Sequence, residues 1–257
     1  MKQIFATVIS NTELRPGHHL IRVEAPSIAA EARPGQFITI GCRQDLILRR
    51  PLSIHGVDKS NQISILFAVV GAGTYWLSQR QKSEKLDLLG PLGNGFSIKP
   101  ASKNLLLAAG GIGIAPLVFL AHKALEDGKC VKLILGARTK NRLYPKALLP
   151  ERVEALITTE DGSDGEKGKV TDVLPRYVDW ADQIYACGPI AMYKEIAGQR
   201  KHRRSKTPIQ VSLEVRLGCG IGACFGCSIK TIKGMKRVCI DGPVFNLDEV
   251  MLEEVRI

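Results

Sequence analysis

Leu105-Leu106-Leu107-Ala108-Ala109-Gly110-Gly111-Ile112-Gly113-Ile114-Ala115-Pro116 joins five apolar residues to a glycine-rich turn and a proline. A short, uninterrupted apolar run marks a strand buried on both faces of a parallel sheet. The glycines let the chain turn sharply and let a ligand approach the backbone. Pro116 suits the first turn of a helix, where its missing N–H costs nothing. The segment therefore reads as strand, tight turn and helix, a shape that seats a phosphate on the helix N-terminus. It departs from G-x-G-x-x-G because Pro116 stands where the third glycine would be. Gly136-Ala137-Arg138, with no acidic residue, ends the next strand. Taken alone, the loop also reads as a plain packing turn.

Outward from this segment the rhythm is regular. A helix is expected over 116–127, a second buried strand at Val131-Lys132-Leu133-Ile134-Leu135, strands at 153–158 and 182–187, and a helix over 189–201. Alternating strand and helix predicts an open α/β sheet for residues 100–206. Residues 1–99 have another pattern, with apolar or β-branched runs at 4–9, 20–25, 36–42, 52–57, 62–70 and 85–89. Turn formers separate them, among them Arg15-Pro16-Gly17, Arg33-Pro34-Gly35 and Asp58-Lys59-Ser60-Asn61. Short strands at this spacing predict a small closed antiparallel β-barrel, with one short helix near 74–81 opened by Gly73-Thr74. Residues 207–257 hold many glycines and four of the seven cysteines. The expected fold is thus multi-domain: a β-barrel, a central α/β parallel-sheet domain and a small C-terminal cysteine segment.

Composition excludes several classes. At 257 residues, 45% hydrophobic and 24% charged, the chain is neither disordered nor collagen-like. Aromatics at 5% are thin for a protein that stacks single-stranded bases. The net charge of +11 draws five positives from Arg200-Lys201-His202-Arg203-Arg204-Ser205-Lys206. With no nucleic-acid-reading motif, that run reads as a solvated loop or as a patch facing an acidic partner protein. Met1 to Ile9 lacks the apolar run of a signal peptide. The stretch Leu105 to Ala121 is broken by Gly110, Gly111, Gly113 and Pro116, so no membrane span is expected. An odd cysteine count without an export signal points to a reducing cytoplasm.

Three further motifs carry chemistry. Cys219-Gly220-Ile221-Gly222-Ala223-Cys224-Phe225-Gly226-Cys227, with Cys239 after eleven more residues, has the C-x4-C-x2-C spacing of a plant-type 2Fe–2S site. Gly218, Gly220, Gly222 and Gly226 allow the sharp turns that three thiolates on one loop require. They also expose N–H groups to sulfur. The fourth thiolate is expected on a returning strand, Lys236 to Cys239. A four-cysteine zinc site is the other reading, although zinc modules usually pair two short knuckles. Cys187-Gly188-Pro189 lies between a strand and a helix, where the cysteine is either a small core residue or part of a site. Arg50-Pro51-Leu52-Ser53-Ile54 reads as an edge-strand break. Set beside Gly71-Ala72-Gly73-Thr74, it also reads as a cation and oriented N–H donors able to hold a pyrophosphate. Cys42 and Cys130 have no motif around them.

The order R-P-x-S, G-P-L-G-N-G-F (Gly90 to Phe96), G-G-x-G-x-A-P and C-G-P resembles the ferredoxin–NADP reductase superfamily. The cysteine loop with Cys239-Ile240-Asp241-Gly242-Pro243-Val244-Phe245 resembles its electron-transfer subunits of NAD-dependent, heteromeric dihydroorotate dehydrogenase. This resemblance implies FAD held by Arg50 at the pyrophosphate, Pro51, Leu52 and Ser53 near the flavin ring. It also places Leu66, Phe67 and Ala68 beside the FAD, and Gly73 and Thr74 over its phosphates. Ala68 and Ala72 stand where relatives often carry a basic residue and a lysine. Gly110, Gly111, Gly113, Ala115 and Pro116 with Cys187, Gly188 and Pro189 would form the NAD site, and Arg138 leaves room for a 2′-phosphate. Cys219, Cys224, Cys227 and Cys239 would hold the 2Fe–2S cluster, and no catalytic residue is expected on this chain. The implied partner is an FMN-containing catalytic subunit of pyrimidine biosynthesis, two copies of each chain forming a heterotetramer. A flavoprotein subunit of an NADPH:ferredoxin oxidoreductase or hydrogenase-type complex has nearly the same sequence logic.

Overall fold

Alternation of inward and outward residues closes the first zone into a barrel. Its strands are β1 (Lys2–Arg15), β2 (His18–Glu24), β3 (Phe37–Gly41), β4 (Arg50–Val57), β5 (Gln62–Ala68) and β6 (Lys85–Leu92), with α1 (Pro26–Ala29) and α2 (Ala72–Ser78) between them. All neighbours are antiparallel in the closed order β1-β2-β5-β4-β3-β6. Ile21, Val23, Ile38, Ile40, Ile63, Ile65, Leu86 and Leu88 fill the interior, each contributing about 2 kcal/mol of burial. This computed structural model describes residues 1–43, 45–201 and 207–255, so the basic run lies outside the described residues from 202 onward.

Helix α2 begins earlier than the 74–81 expected from sequence, because its cap lies inside it. Thr74 Oγ1 accepts the N–H groups of Val70 (2.9 Å) and Gly71 (3.2 Å), which places Gly73 within the first turn.

The second unit contains β7 (Asn104–Gly110), α3 (Ile114–Glu126), β8 (Cys130–Ala137), β9 (Glu154–Thr159), β10 (Glu166–Lys167), α4 (Val170–Val173), β11 (Gln183–Cys187) and α5 (Ile190–Lys201). After it come β12 (Ile209–Ser212), β13 (Ser228–Thr231), β14 (Gly234–Arg237), α6 (Val238–Asp241) and β15 (Val244–Asn246). The sheet order is β10-β9-β8-β7-β11-β12-β15, parallel except for the last pair. The apolar run is buried on both faces, as its composition predicts. Leu105, Leu107 and Ala109 join one core with α3, and Leu106 and Ala108 join the other with α5.

The sheet does not stop where the cysteine-rich zone begins. β12 pairs in parallel with β11, Ile184 opposite Ile209, and β15 returns antiparallel beside it, so residues 209–212 and 244–246 serve the central sheet. Cys239 also lies in the turn of α6, beyond β14, and not on the returning strand expected for it. Asp241 accepts the Arg237 N–H (2.7 Å) and winds the chain there.

Barrel and sheet meet through α3, whose Phe119 enters the barrel core. His55 of β4, buried between them, bonds the Ala115 carbonyl (2.9 Å) and the Tyr144 hydroxyl (3.1 Å). Burial, partly offset by the Ala115 carbonyl, lowers His55 from 6.5 to about 4. An unfolded chain binds that proton near 6.5, so this contribution to stability is complete above 6.5 and is lost as pH falls toward 4. For His55→Gln, the stability deficit relative to wild type should narrow by about 2 kcal/mol between roughly pH 7.5 and 5. Denaturant unfolding at both pH values checks this; a constant deficit contradicts it.

Candidate functional site

The site lies at the carboxyl ends of the parallel strands, where the order reverses between β7 and β11. Ligands of open α/β sheets bind at such a switch point. Ala109 is paired with Cys187, so the glycine turn after β7 and the Cys187-Gly188-Pro189 turn after β11 emerge side by side. Their contact explains Gly113: a Cβ there would lie 2.0 Å from the Cys187 carbonyl oxygen. Tyr193 of α5 holds the second turn, accepting the Gly188 N–H (2.9 Å) and donating to the Ser212 carbonyl (2.6 Å). Burial, reinforced by the Glu214 carboxylate, pushes the Cys187 thiol up to about 12, so it stays neutral.

Two cavities share this region. One, of 490 Å³, is lined by Gly110, Gly111 and Pro189 and runs over the end of β8 past Arg138. The other, of 330 Å³, is lined by Arg50, Pro51, Leu52, Ser53, Leu66, Phe67, Ala68 and Thr74 from the barrel. Gly113, Ala115, Pro116 and Cys187 close its far side. Ala68 and Ile112 line both cavities, so the two adjoin. The residues assigned from sequence to a nicotinamide nucleotide thus divide between the two spaces. Gly188 lines neither and packs against Met192 and Gly110.

Arg50 is the cation of the barrel cavity for a physical reason. Its neighbour Arg49 is engaged by Asp87 (2.6 Å) and Thr39 (3.1 Å), whereas Arg50 lies over Gly73 and bonds the Leu48 carbonyl. A Cβ on Gly73 would come within 2.2 Å of Arg50 Nε, so glycine is what lets the guanidinium settle there. Gly73 reaches the cavity only through Arg50. Sequence reasoning missed Phe37, Ser212, Glu214, Val215, Leu217 and Pro243 on the walls of this cavity. No local motif marks them, because β12 and the cysteine segment reach the cavity only through the fold.

The four clustered cysteines lie close enough to influence one another's ionisation, Cys219 beside Cys224 and Cys239 beside Cys227 and Cys219. Among the described residues no three ligating side chains converge as on a single ion. Backbone N–H groups point at the sulfurs: Ile221 (3.5 Å) and Cys224 (3.4 Å) at Cys219, Gly226 at Cys224 (3.4 Å), Cys239 at Cys227 (3.5 Å), and Gly222 at Cys239 (3.1 Å). Gly222 can present its N–H because it sits at φ +82°. Burial opposes ionisation of Cys219 most strongly, but the Ile221 and Cys224 N–H groups and the Cys224 thiol together lower it to about 6. Burial and the Cys227 sulfur push Cys239 up to about 12. Neighbouring thiols ringed by N–H donors are a donor set suited to an iron–sulfur cluster.

The barrel anchors this loop. Asn94, from the G-P-L-G-N-G-F motif, donates to the Ile240 (2.9 Å) and Asp241 (3.3 Å) carbonyls, and its N–H donates to the Gly242 carbonyl (2.6 Å). Leu217 and Pro243 touch the barrel cavity within a few residues of Cys219 and Cys239, so the thiols stand beside that cavity. Among the described residues no helix is long and apolar enough to cross a membrane.

Known proteins match along the whole chain. Residues 214–251 match the family model described as the iron-sulfur cluster binding domain of dihydroorotate dehydrogenase B. Residues 107–198 match the oxidoreductase NAD-binding domain. The dihydroorotate dehydrogenase B (NAD(+)) electron transfer subunit of Desulforamulus reducens is 40% identical over 98% of this chain and 100% of its own length. The Bacillus cereus subunit of the same name is 37% identical over 95% and 97%. A solved structure of an NADH-dependent reduced ferredoxin-NADP oxidoreductase superposes with TM-score 0.88 at 31% identity, covering 97% of this chain and 91% of that one. With both family models and full-length relatives in agreement, the chain belongs to the family of dihydroorotate dehydrogenase B electron transfer subunits.

Proposed function

We propose that this chain carries electrons between NAD(H) and an FMN-containing partner that oxidises dihydroorotate, by way of FAD and a 2Fe–2S cluster. The observation that carries this reading is the order of the parts. The barrel cavity has the nucleotide turns on one side, at Gly113, Pro116 and Cys187. On the other side it has Leu217 and Pro243, chain neighbours of the thiols. A flavin held there would supply the chemistry that links two-electron exchange with a nicotinamide to one-electron exchange with a cluster.

The chain's own residues set the conditions for that exchange. Arg50 offers its charge to the flavin pyrophosphate, and Thr74 fixes the start of α2 beside it. Leu52, Leu66 and Phe67 exclude water from the ring. The neutral Cys187 thiol shapes the approach of a nicotinamide without competing for its charge. Cys219, Cys224, Cys227 and Cys239 are the cluster ligands, their N–H donors stabilising negative sulfur. Ile221, Phe225, Ile232 and Met235 are exposed on the cysteine segment, and we assign these apolar side chains to the partner. Two copies of each chain make the assembly, and cysteines without a disulfide among them suit a reducing cytoplasm.

The holo-protein alone should oxidise NADH with ferricyanide and leave dihydroorotate untouched. Co-expression with the partner should restore dihydroorotate oxidation by NAD+, with FMN released from the co-purified complex on denaturation. Dihydroorotate turnover by the isolated chain would overturn the division of labour. The likeness to the ferredoxin-NADP oxidoreductase supports a second reading, in which a ferredoxin-linked subunit co-purifies instead.

A further inference from the structure

Arg237 ends β14 opposite Ser228 of β13, two residues before Cys239. Its side chain reaches back to the loop that carries the other three clustered thiols. There Nη1 donates to the Gly222 carbonyl (2.9 Å), and the guanidinium carbon lies 4.9 Å from the centre of the Phe225 ring. Nε faces the Asp241 carboxylate at 3.9 Å, and the same carboxylate accepts the Arg237 N–H (2.7 Å). One side chain thus ties two points of the loop to the helical turn that carries Cys239.

Both points need holding. Phe225 sits at φ +57°, a left-handed conformation that is unfavourable for a residue with a Cβ. Its ring is 63% exposed, so burial does little to offset that cost. The Ser228 N–H (3.2 Å) and hydroxyl (2.7 Å) donate to its carbonyl, and a cation over the ring adds attraction. Gly222 has no side chain to anchor it, and its backbone packs on Ile240 so closely that a Cβ would lie 2.8 Å from Cδ1. Its N–H nevertheless has to point at Cys239 Sγ, 3.1 Å away. Holding the carbonyl of a glycine restricts the backbone rotations that aim its N–H. Arg237 supplies that hold.

We propose that Arg237 is a positioning residue for electron transfer: by fixing Gly222 it keeps that N–H on the Cys239 sulfur, which raises the reduction potential of the cluster and slows its loss. The inference rests on the reading of Cys239 as a cluster ligand. An N–H donor favours the more negative, reduced state, so a weakened donor lowers the potential.

Two variants of the holo-protein test this. Arg237→Met keeps an unbranched stem near Phe225 and removes both donor and charge; Arg237→Lys keeps a charged donor. In an EPR-monitored redox titration the midpoint potential of Arg237→Met should fall by about a tenfold change in the one-electron equilibrium, about 59 mV. Its iron should pass to a chelator at least about tenfold faster, as the loss of an outer-shell partner implies. Arg237→Lys should recover at least half of both changes. The difference between wild type and Arg237→Met should persist in about 1 M salt, where a charge acting from a distance is screened.

An unchanged potential in Arg237→Met overturns the proposal. A difference that salt abolishes also overturns it, because the guanidinium then acts as a remote charge and not through Gly222. If Arg237→Met assembles no cluster, Arg237→Lys decides: a potential close to wild type supports the role, and a second protein without a cluster overturns it. Wild-type holo-protein lacking any iron–sulfur signal would instead overturn the proposed function, and this role with it.

Discussion

Replacing Cys239 by serine should leave a flavoprotein that still oxidises NADH with ferricyanide but has lost iron–sulfur absorption. In the reconstituted complex, dihydroorotate oxidation by NAD+ should fall by more than about 100-fold, beyond the 10–100-fold that outer-shell partners of a metal site cost. The reason is local. Cys239 Sγ is buried, lies beside Cys227, and receives the Gly222 N–H at 3.1 Å. A serine hydroxyl is harder, shorter and bound to its proton, and nothing else on α6 can replace a thiolate. Cys130→Ser is the control, because that thiol is exposed and far along the chain from the loop. A Cys239→Ser protein with full cluster absorption would remove this residue from the ligand set.

The second large effect is expected at Gly113. Its Cβ position lies 2.0 Å from the Cys187 carbonyl oxygen and 2.4 Å from the carbonyl carbon. Both are backbone atoms at the end of a central strand, so neither can step aside cheaply. Gly113→Ala must push the two turns apart, and a displacement of about 1 Å at a binding site can cost about 100-fold in rate. We expect that loss in kcat/KM for NADH, with flavin content maintained. Gly111→Ala is the comparison, because Gly111 sits at φ +59° with open space around it. There no protein atom stands in the way, and the backbone strain is on the order of 1 kcal/mol. Steady-state kinetics of the two variants separate them; equal and mild effects would mean the turns can part freely.

The two substitutions also show which parts of the site were legible in sequence. Cys219, Cys224, Cys227 and Cys239 stood out because ligand spacing is a local property. The glycine turn stood out because a buried strand, flexible residues and a proline follow one another in chain order. The zinc alternative falls with the match of residues 214–251 to an iron–sulfur domain. Cys239 was harder to place. Its strand-like neighbours Lys236 and Arg237 do extend β14, but Asp241 then draws the chain into a helical turn that no periodicity announces.

Other features became visible only when distant segments met. His55 and Tyr144 lie 89 residues apart and share a hydrogen bond that joins barrel to sheet. Asn94 holds the Ile240 and Asp241 carbonyls from 146 and 147 residues away. Arg15 and Arg142 meet at one cavity from the two larger zones, more than a hundred residues apart in sequence.

Short-range physics explains the division. Apolar alternation, buried runs, glycine turns and thiol spacing act within a dozen residues, so the sequence by itself determined a barrel, a parallel sheet and a cysteine loop. Pairing between segments depends on which surfaces a fold presses together. Only the tertiary structure could decide that β12 and β15 complete the central sheet. The same holds for the cavity between the nucleotide turns and the cysteine segment, and for the cations gathered around the cavity over the end of β8.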